Sequence, residues 1–205
     1  MERIQTLVIM SALDTKLNEH FGIKPYTLYL ATDGGAIKNG KPGCVCSWAY
    51  FLRVGAETEF KHIHGSGRIS DKASNNIGEL TAVLKGLRAL QEYIAANACD
   101  TKYTVVVYSD SMYAINCITK WYPKWVATHK TGDKKNLDLI KTIHDIWKTV
   151  CSDCDIKFEH VRSHKVNDNT LQWHLNDIVD KMCGELLKES WLDEVKSQGG
   201  HVSLI

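Results

Sequence analysis

The sequence has no long apolar run near its N-terminus. Leu7–Met10 is too short for a membrane span or a secretory h-region, and no small-residue cleavage site follows it. A cytoplasmic or similar compartment and no membrane partner are therefore expected. There is no excess of charge either: 25 Lys and Arg stand against 24 Asp and Glu, a net charge of +1. That excludes a strongly basic chain that binds polyanions by overall charge, so any cationic footprint has to be local. A disulfide framework is missing too. The seven cysteines are odd in number and scattered over 205 residues, which fits reduced thiols rather than a small secreted scaffold. Cys151 and Cys154 have C-x-x-C spacing, but no second such pair completes a zinc set and no thioredoxin-like pattern surrounds them.

A hydrophobic fraction of 44% over this length suits one domain with a proper core. Residues 1–24 show one weak apolar cluster without clear period and read as an extension of unknown role. The folded domain is expected over 25–190, with 191–205 as a tail. Thr27 to Ala31 are β-formers that run into Thr32-Asp33-Gly34-Gly35, a strand entering a turn. Val45–Val54 and Glu57–His64 read as an antiparallel pair joined at Val54-Gly55-Ala56. From Asn76 to Ala96, the apolar residues Ile77, Leu80, Leu84, Leu87 and Ile94 recur at helical spacing. Tyr103–Tyr108 holds three successive valines, as in a strand covered on both faces. Helices are expected over Met112–Trp121, Asn136–Val150 and His174–Leu187, and a strand over Ile156–Val161. Three strands followed by alternating helices and strands give an α/β fold: a mixed five-stranded sheet with helices on both faces.

Several acids fall at the ends of these elements. Asp33 closes the first predicted strand, before two glycines that let another backbone or a phosphate approach closely. Asp110 closes the valine strand. Carboxylates at neighbouring strand ends can converge on one point, and hard oxygen ligands gathered in this way suit magnesium or manganese. Each also has a plain structural reading. Asp110 can be the N-cap of the next helix, Asn76-x-x-Glu79 resembles a capping box, and Asp177 and Asp180 fit the solvated face of a helix.

Thr32-Asp33-Gly34-Gly35, Ser74-Asn75-Asn76-Ile77-Gly78-Glu79-Leu80 and Tyr108-Ser109-Asp110-Ser111 resemble, in order and spacing, the three acidic motifs of type 1 ribonucleases H. Val161-Arg162-Ser163-His164 resembles the family's segment with a mobile histidine, and Asn176-Asp177-Ile178-Val179-Asp180 its last motif. The resemblance spans about Tyr26 to Leu187. It implies the ribonuclease H-like fold and endonucleolytic hydrolysis of the RNA strand of RNA/DNA hybrids, leaving 5′-phosphate and 3′-hydroxyl ends. Asp33, Glu79, Asp110 and Asp180 would bind two Mg2+ ions, with Mn2+ as a substitute. Asp33 would serve both ions, Asp180 the one that activates water, and Glu79 and Asp110 the other, while His164 would assist proton movement or product release. Asp180 is preferred to Asp177 for its spacing from Asn176. The chemistry is consistent, because phosphodiester hydrolysis needs a nucleophile at neutral pH and a stabilised leaving oxygen, and paired divalent ions supply both.

Asn39, Asn75 and Asn76 match positions that contact the hybrid backbone in that family, and all three also read as turn or cap residues. Ser74 would help hold a phosphate. The local cationic footprint lies between Lys120 and Lys141, where Lys120, Lys124, Lys130, Lys134, Lys135 and Lys141 surround Trp121, Tyr122 and Trp125 against two acids, Asp133 and Asp138. It resembles the family's basic protrusion, with Lys120, Trp121, Lys124 and Trp125 as substrate contacts, though it lacks arginine. Met112 stands where many relatives have a polar substrate contact, and the segment between His164 and Asn176 is longer than in compact relatives. The rival readings are a catalytically inactive hybrid-binding or scaffold domain, which four intact carboxylates argue against, and another nuclease or transposase-type enzyme on the same fold. A monomer is the default.

Overall fold

The computed structural model describes residues 3–5, 26–54, 61–97, 102–162 and 170–197. Among the described residues six strands form one sheet in the order β1-β4-β3-β2-β5-β6: β1 Arg3–Gln5, β2 Thr27–Ile37, β3 Val45–Val54, β4 Lys61–Ile69, β5 Tyr103–Ser109 and β6 Cys154–His160. The helices are α1 Asn75–Ala96, α2 Met112–Asn116, α3 Tyr122–Ala127, α4 Leu137–Asp153 and α5 Leu171–Ser197, with a π-helical turn, Cys117–Trp121, joining α2 to α3. The expected mixed sheet is present. β2, β3 and β4 pair antiparallel, and β5 and β6 continue parallel to β2. Arg3–Gln5 adds a short edge strand antiparallel to β4.

Strand alternation sends the sheet's side chains into two cores. Leu28, Leu30, Trp48, Tyr50, Leu52, Val105 and Val107 pack under α1 and α4 in the larger one. Ala31, Ala49, Val106 and Tyr108 meet Leu175, Val179 and Cys183 of α5 in the smaller. Leu80, Leu87 and Leu90 of α1 are fully buried, each contributing about 1.5–3 kcal/mol of transfer free energy.

Several expected boundaries shift for physical reasons. β2 does not end at Asp33 but runs on to Ile37. β4 likewise runs past its expected end at His64, through Gly65 and Gly67; a Cβ at either would lie 2.7 Å from the ring of Tyr50 or Trp48, so the glycines make room for aromatic side chains of β3. The expected helix over Met112–Trp121 continues to Ala127, because Pro123 sits in the first turn of α3, where its missing N–H leaves no bond unmade. α5 passes its last apolar periodic residues and includes Trp191, extending into the region expected to be a tail. The Val54-Gly55-Ala56 connection lies outside the described residues.

Candidate active site

Strand register assembles the first two acids. In the parallel pair β2/β5, Thr32 lies opposite Ser109, so the next residues along, Asp33 and Asp110, emerge side by side. The Thr32 hydroxyl donates to the Tyr108 carbonyl at 3.4 Å across this pair. Asp33 and Asp110 share the alternation of Ala31 and Tyr108, whose face carries α5. The Cys183 thiol on that helix donates to the Asp33 carbonyl at 3.3 Å.

Glycines bring in the third acid. A Cβ on Gly34 would lie 2.2 Å from the Glu79 nitrogen, and one on Gly78 would lie 2.5 Å from the Ser47 carbonyl oxygen. The first turn of α1 therefore rests backbone against backbone on β2 and β3, an approach that only residues without side chains permit. Of the two glycines after Asp33, Gly34 admits another backbone, that of α1, while Gly35 makes room for the Leu187 side chain of α5.

Neither acid is spent on a helix cap, a correction to the plain readings. Ser74 caps α1, its Oγ accepting from the Ile77 N–H at 3.2 Å, and Ser111 caps α2, its Oγ accepting from the Ala114 N–H at 3.2 Å. A serine in each motif does the capping, and the carboxylates are left to face one another. Ligand atoms of Asp33, Glu79 and Asp110 lie within 4.8 Å of one another, the one such group among the described residues. One oxygen of Glu79 and one of Asp110 are buried with no hydrogen-bond partner. Burial, then the charges of Asp110 and Asp180, pushes the Asp33 carboxyl up to about 7. Burial, then Asp33 and Asp110, pushes Glu79 up to about 9. Asp110 is raised by burial and then by Asp180. Three carboxyls, those of Asp33 and Glu79 buried and that of Asp110 half-buried, two of them with an orphaned oxygen, cannot ionise together without a counter-charge and fit hard divalent cations.

Asp180 lies on α5, exposed at the rim, and both Asp33 and Asp110 feel its charge. Asp177 instead pairs with Lys181 at 2.6 Å, one turn along the surface. Asn176 is buried and its Oδ1 has no partner. His164 lies outside the described residues. Nothing in the sequence flags His160, at the end of β6, yet its Nε2 lies 3.1 Å from the Asp110 carbonyl oxygen and ties β6 to the turn that carries Asp110.

Three of the four expected polar contacts gather beside Glu79. The Asn39 side-chain oxygen accepts from the Asn75 N–H at 3.1 Å, the Asn75 side chain hydrogen-bonds the Glu79 carboxyl, and Ser74 caps the same turn. Asn76 is exposed next to them. On the π-helical turn and α3, Trp121 is 39% exposed and Trp125 half-buried, their rings stacked with centroids 6.4 Å apart, and Lys134 lies 5.5 Å over Trp125. Lys120 and Lys124 are exposed beside them, whereas Tyr122 is buried against His144. Met112 is 44% exposed next to the Asp110 turn. Cys154 is buried, its thiol donates to the Val150 carbonyl at 3.2 Å, and burial pushes it up to about 12, the state of an inert structural cysteine.

A twisted sheet of this order, with acids converging from β2, β5 and the first turn of α1, is the ribonuclease H-like fold. The solution structure of the RNase H domain of prototype foamy virus superposes with a TM-score of 0.61 at 18% identity, covering 78% of this chain and 94% of that one. The RNase H family model matches residues 25–186. The ribonuclease H of Caldicellulosiruptor saccharolyticus is 31% identical over 163 residues, 77% of this chain and 94% of the relative. That of Chlorobium phaeobacteroides is 32% identical over 162 residues, 78% of this chain and 91% of the relative. The chain belongs to the RNase H family and is an enzyme of the ribonuclease H class.

Proposed function

We propose that this protein hydrolyses the RNA strand of RNA/DNA hybrids endonucleolytically, leaving 5′-phosphate and 3′-hydroxyl ends, as a cytoplasmic monomer. The observation that carries the reading is the convergence of Asp33, Glu79 and Asp110 within 4.8 Å, with buried oxygens left unpartnered, in a chain of this family. Two Mg2+ ions, with Mn2+ as a substitute, would be held by Asp33, Glu79, Asp110 and Asp180, and would supply a water nucleophile at neutral pH and charge stabilisation of the leaving oxygen.

The chain's own residues do the rest. Burial of Asp33 and Glu79 keeps bulk water from competing for their oxygens. Asp180, exposed on α5, would help hold the ion that activates water, and His164 would assist proton movement or product release. Ser74, Asn39, Asn75 and Asn76 offer short polar groups on rigid turns, suited to reading 2′-hydroxyls and phosphates along a backbone. Lys120, Lys124, Trp121 and Trp125 present cations and a stacked aromatic surface to the same polyanion.

The test is cleavage of four matched substrates, an RNA/DNA hybrid, RNA/RNA, DNA/DNA and single-stranded RNA, in magnesium or EDTA, by the wild type and by Asp33→Asn. Cutting is expected in the RNA strand of the hybrid alone, and is lost in EDTA and in the variant. Binding of the hybrid without cleavage in either metal would replace this reading with a scaffold, and equal cleavage of another duplex would leave only the fold and the acidic cluster.

A further inference from the structure

The last turns of α5 lie beyond residue 186, where the family match ends, yet polar contacts fasten them to the sheet. Arg68 of β4 donates to the Ser190 hydroxyl at 2.9 Å and faces the Asp193 carboxylate at 3.7 Å. The Lys38 ammonium donates to the Glu194 carboxylate. Lys38 opens the turn between β2 and β3, with its backbone in the left-handed region at φ 53, where a Cβ is disfavoured and glycine is usual. Gly40 and Gly43 in the same turn have φ 76 and 75. A lysine at a glycine-type position points to a use for its side chain, and the contact it makes is with Glu194. The next residue, Asn39, accepts from the Asn75 N–H, and the Asn75 side chain bonds the Glu79 carboxyl. One polar chain thus runs from Glu194 through the turn to the acidic cluster.

We propose that Glu194 is a positioning residue for substrate: by holding Lys38 it sets the turn that presents Asn39 and Asn75 to the backbone of the bound hybrid. The inference rests on the hybrid reading given above.

The test compares full-length wild type with Glu194→Gln in steady-state cleavage of a defined hybrid in magnesium. Hybrid affinity is measured alongside, in an Asp33→Asn background, at several salt concentrations. KM and Kd are expected to rise about two- to fivefold, the scale of losing one exposed ion pair, while kcat and the salt dependence of binding stay as they were and the melting temperature falls by no more than about 4 °C. An unchanged KM overturns the proposal, as does a loss confined to kcat. A KM that falls, with a steeper salt dependence, also overturns it, because Glu194 would then merely compete with phosphates for Lys38. If wild type binds and cuts the hybrid while Glu194→Gln matches it, this inference alone fails. If wild type neither binds nor cuts, the functional reading falls and takes the inference with it.

Discussion

Asp33 and Glu79 hold protons at pH values where ordinary carboxylates are ionised, one at about 7 and the other at about 9, because each is buried beside other acids. Both folded values lie above the ordinary ones, so the cation-free native state binds more protons than the unfolded chain. The stability this gives is complete below the ordinary carboxyl range and is lost as pH rises through the folded values. In EDTA the melting temperature is therefore expected to fall between pH 5 and 9 by more in the wild type than in Glu79→Gln, and saturating magnesium should remove most of that difference at the alkaline end. Thermal melts of both proteins across this range decide it; parallel curves in EDTA would mean that the two carboxyls ionise as if exposed. The acids themselves were legible in the sequence, since each sits in a motif of short polar and glycine residues. What the sequence hid was the division of labour: Ser74 reads as a phosphate contact and Ser111 as a neighbour of Asp110, and only the geometry shows that they take the caps. His160 was invisible for another reason, since its partner is a backbone carbonyl, which leaves no pattern in side-chain chemistry.

At the scale of elements, the packing of α1 on β2 sets where Glu79 stands. Gly34→Ala would place a methyl 2.2 Å from the Glu79 nitrogen, so the helix start must move or the strand must. Overpacking of this kind costs about 1–3 kcal/mol, and it would separate Glu79 from Asp33. A lowered melting temperature together with weakened magnesium binding by calorimetry is expected, whereas Gly132→Ala, facing open space, should stay within about 0.5 kcal/mol of wild type. A Gly34→Ala protein with normal stability and normal magnesium affinity would show that the close approach is not needed. Element identity was readable wherever burial imposes a period, as in α1 and β5. Boundaries were misread where glycine serves packing rather than turning, at Gly34, Gly65 and Gly67, and where polar contacts rather than apolar spacing extend a helix, as at Ser190 and Asp193.

For the whole molecule, a net charge of +1 means that attraction to a polyanion depends on where the lysines sit. Replacing Lys120, Lys124 and Lys130 with glutamine should weaken hybrid binding uniformly across sequences and reduce the slope of log K against log salt by about 0.9 for each phosphate that is no longer neutralised. Fluorescence anisotropy at several salt concentrations measures this, and an unaltered slope would remove the patch from the interface. The acidic cluster carries a consequence in time as well as in space. Its members come from three separate stretches of chain, brought together by a parallel strand pair and a helix docked on it, and such non-local arrangements assemble late because long loops must close first. A cation that recognises only the finished cluster finds nothing to hold on the way there. Such a cation would lengthen the lifetime of the native state without hastening its formation, protecting the enzyme by slowing its unraveling.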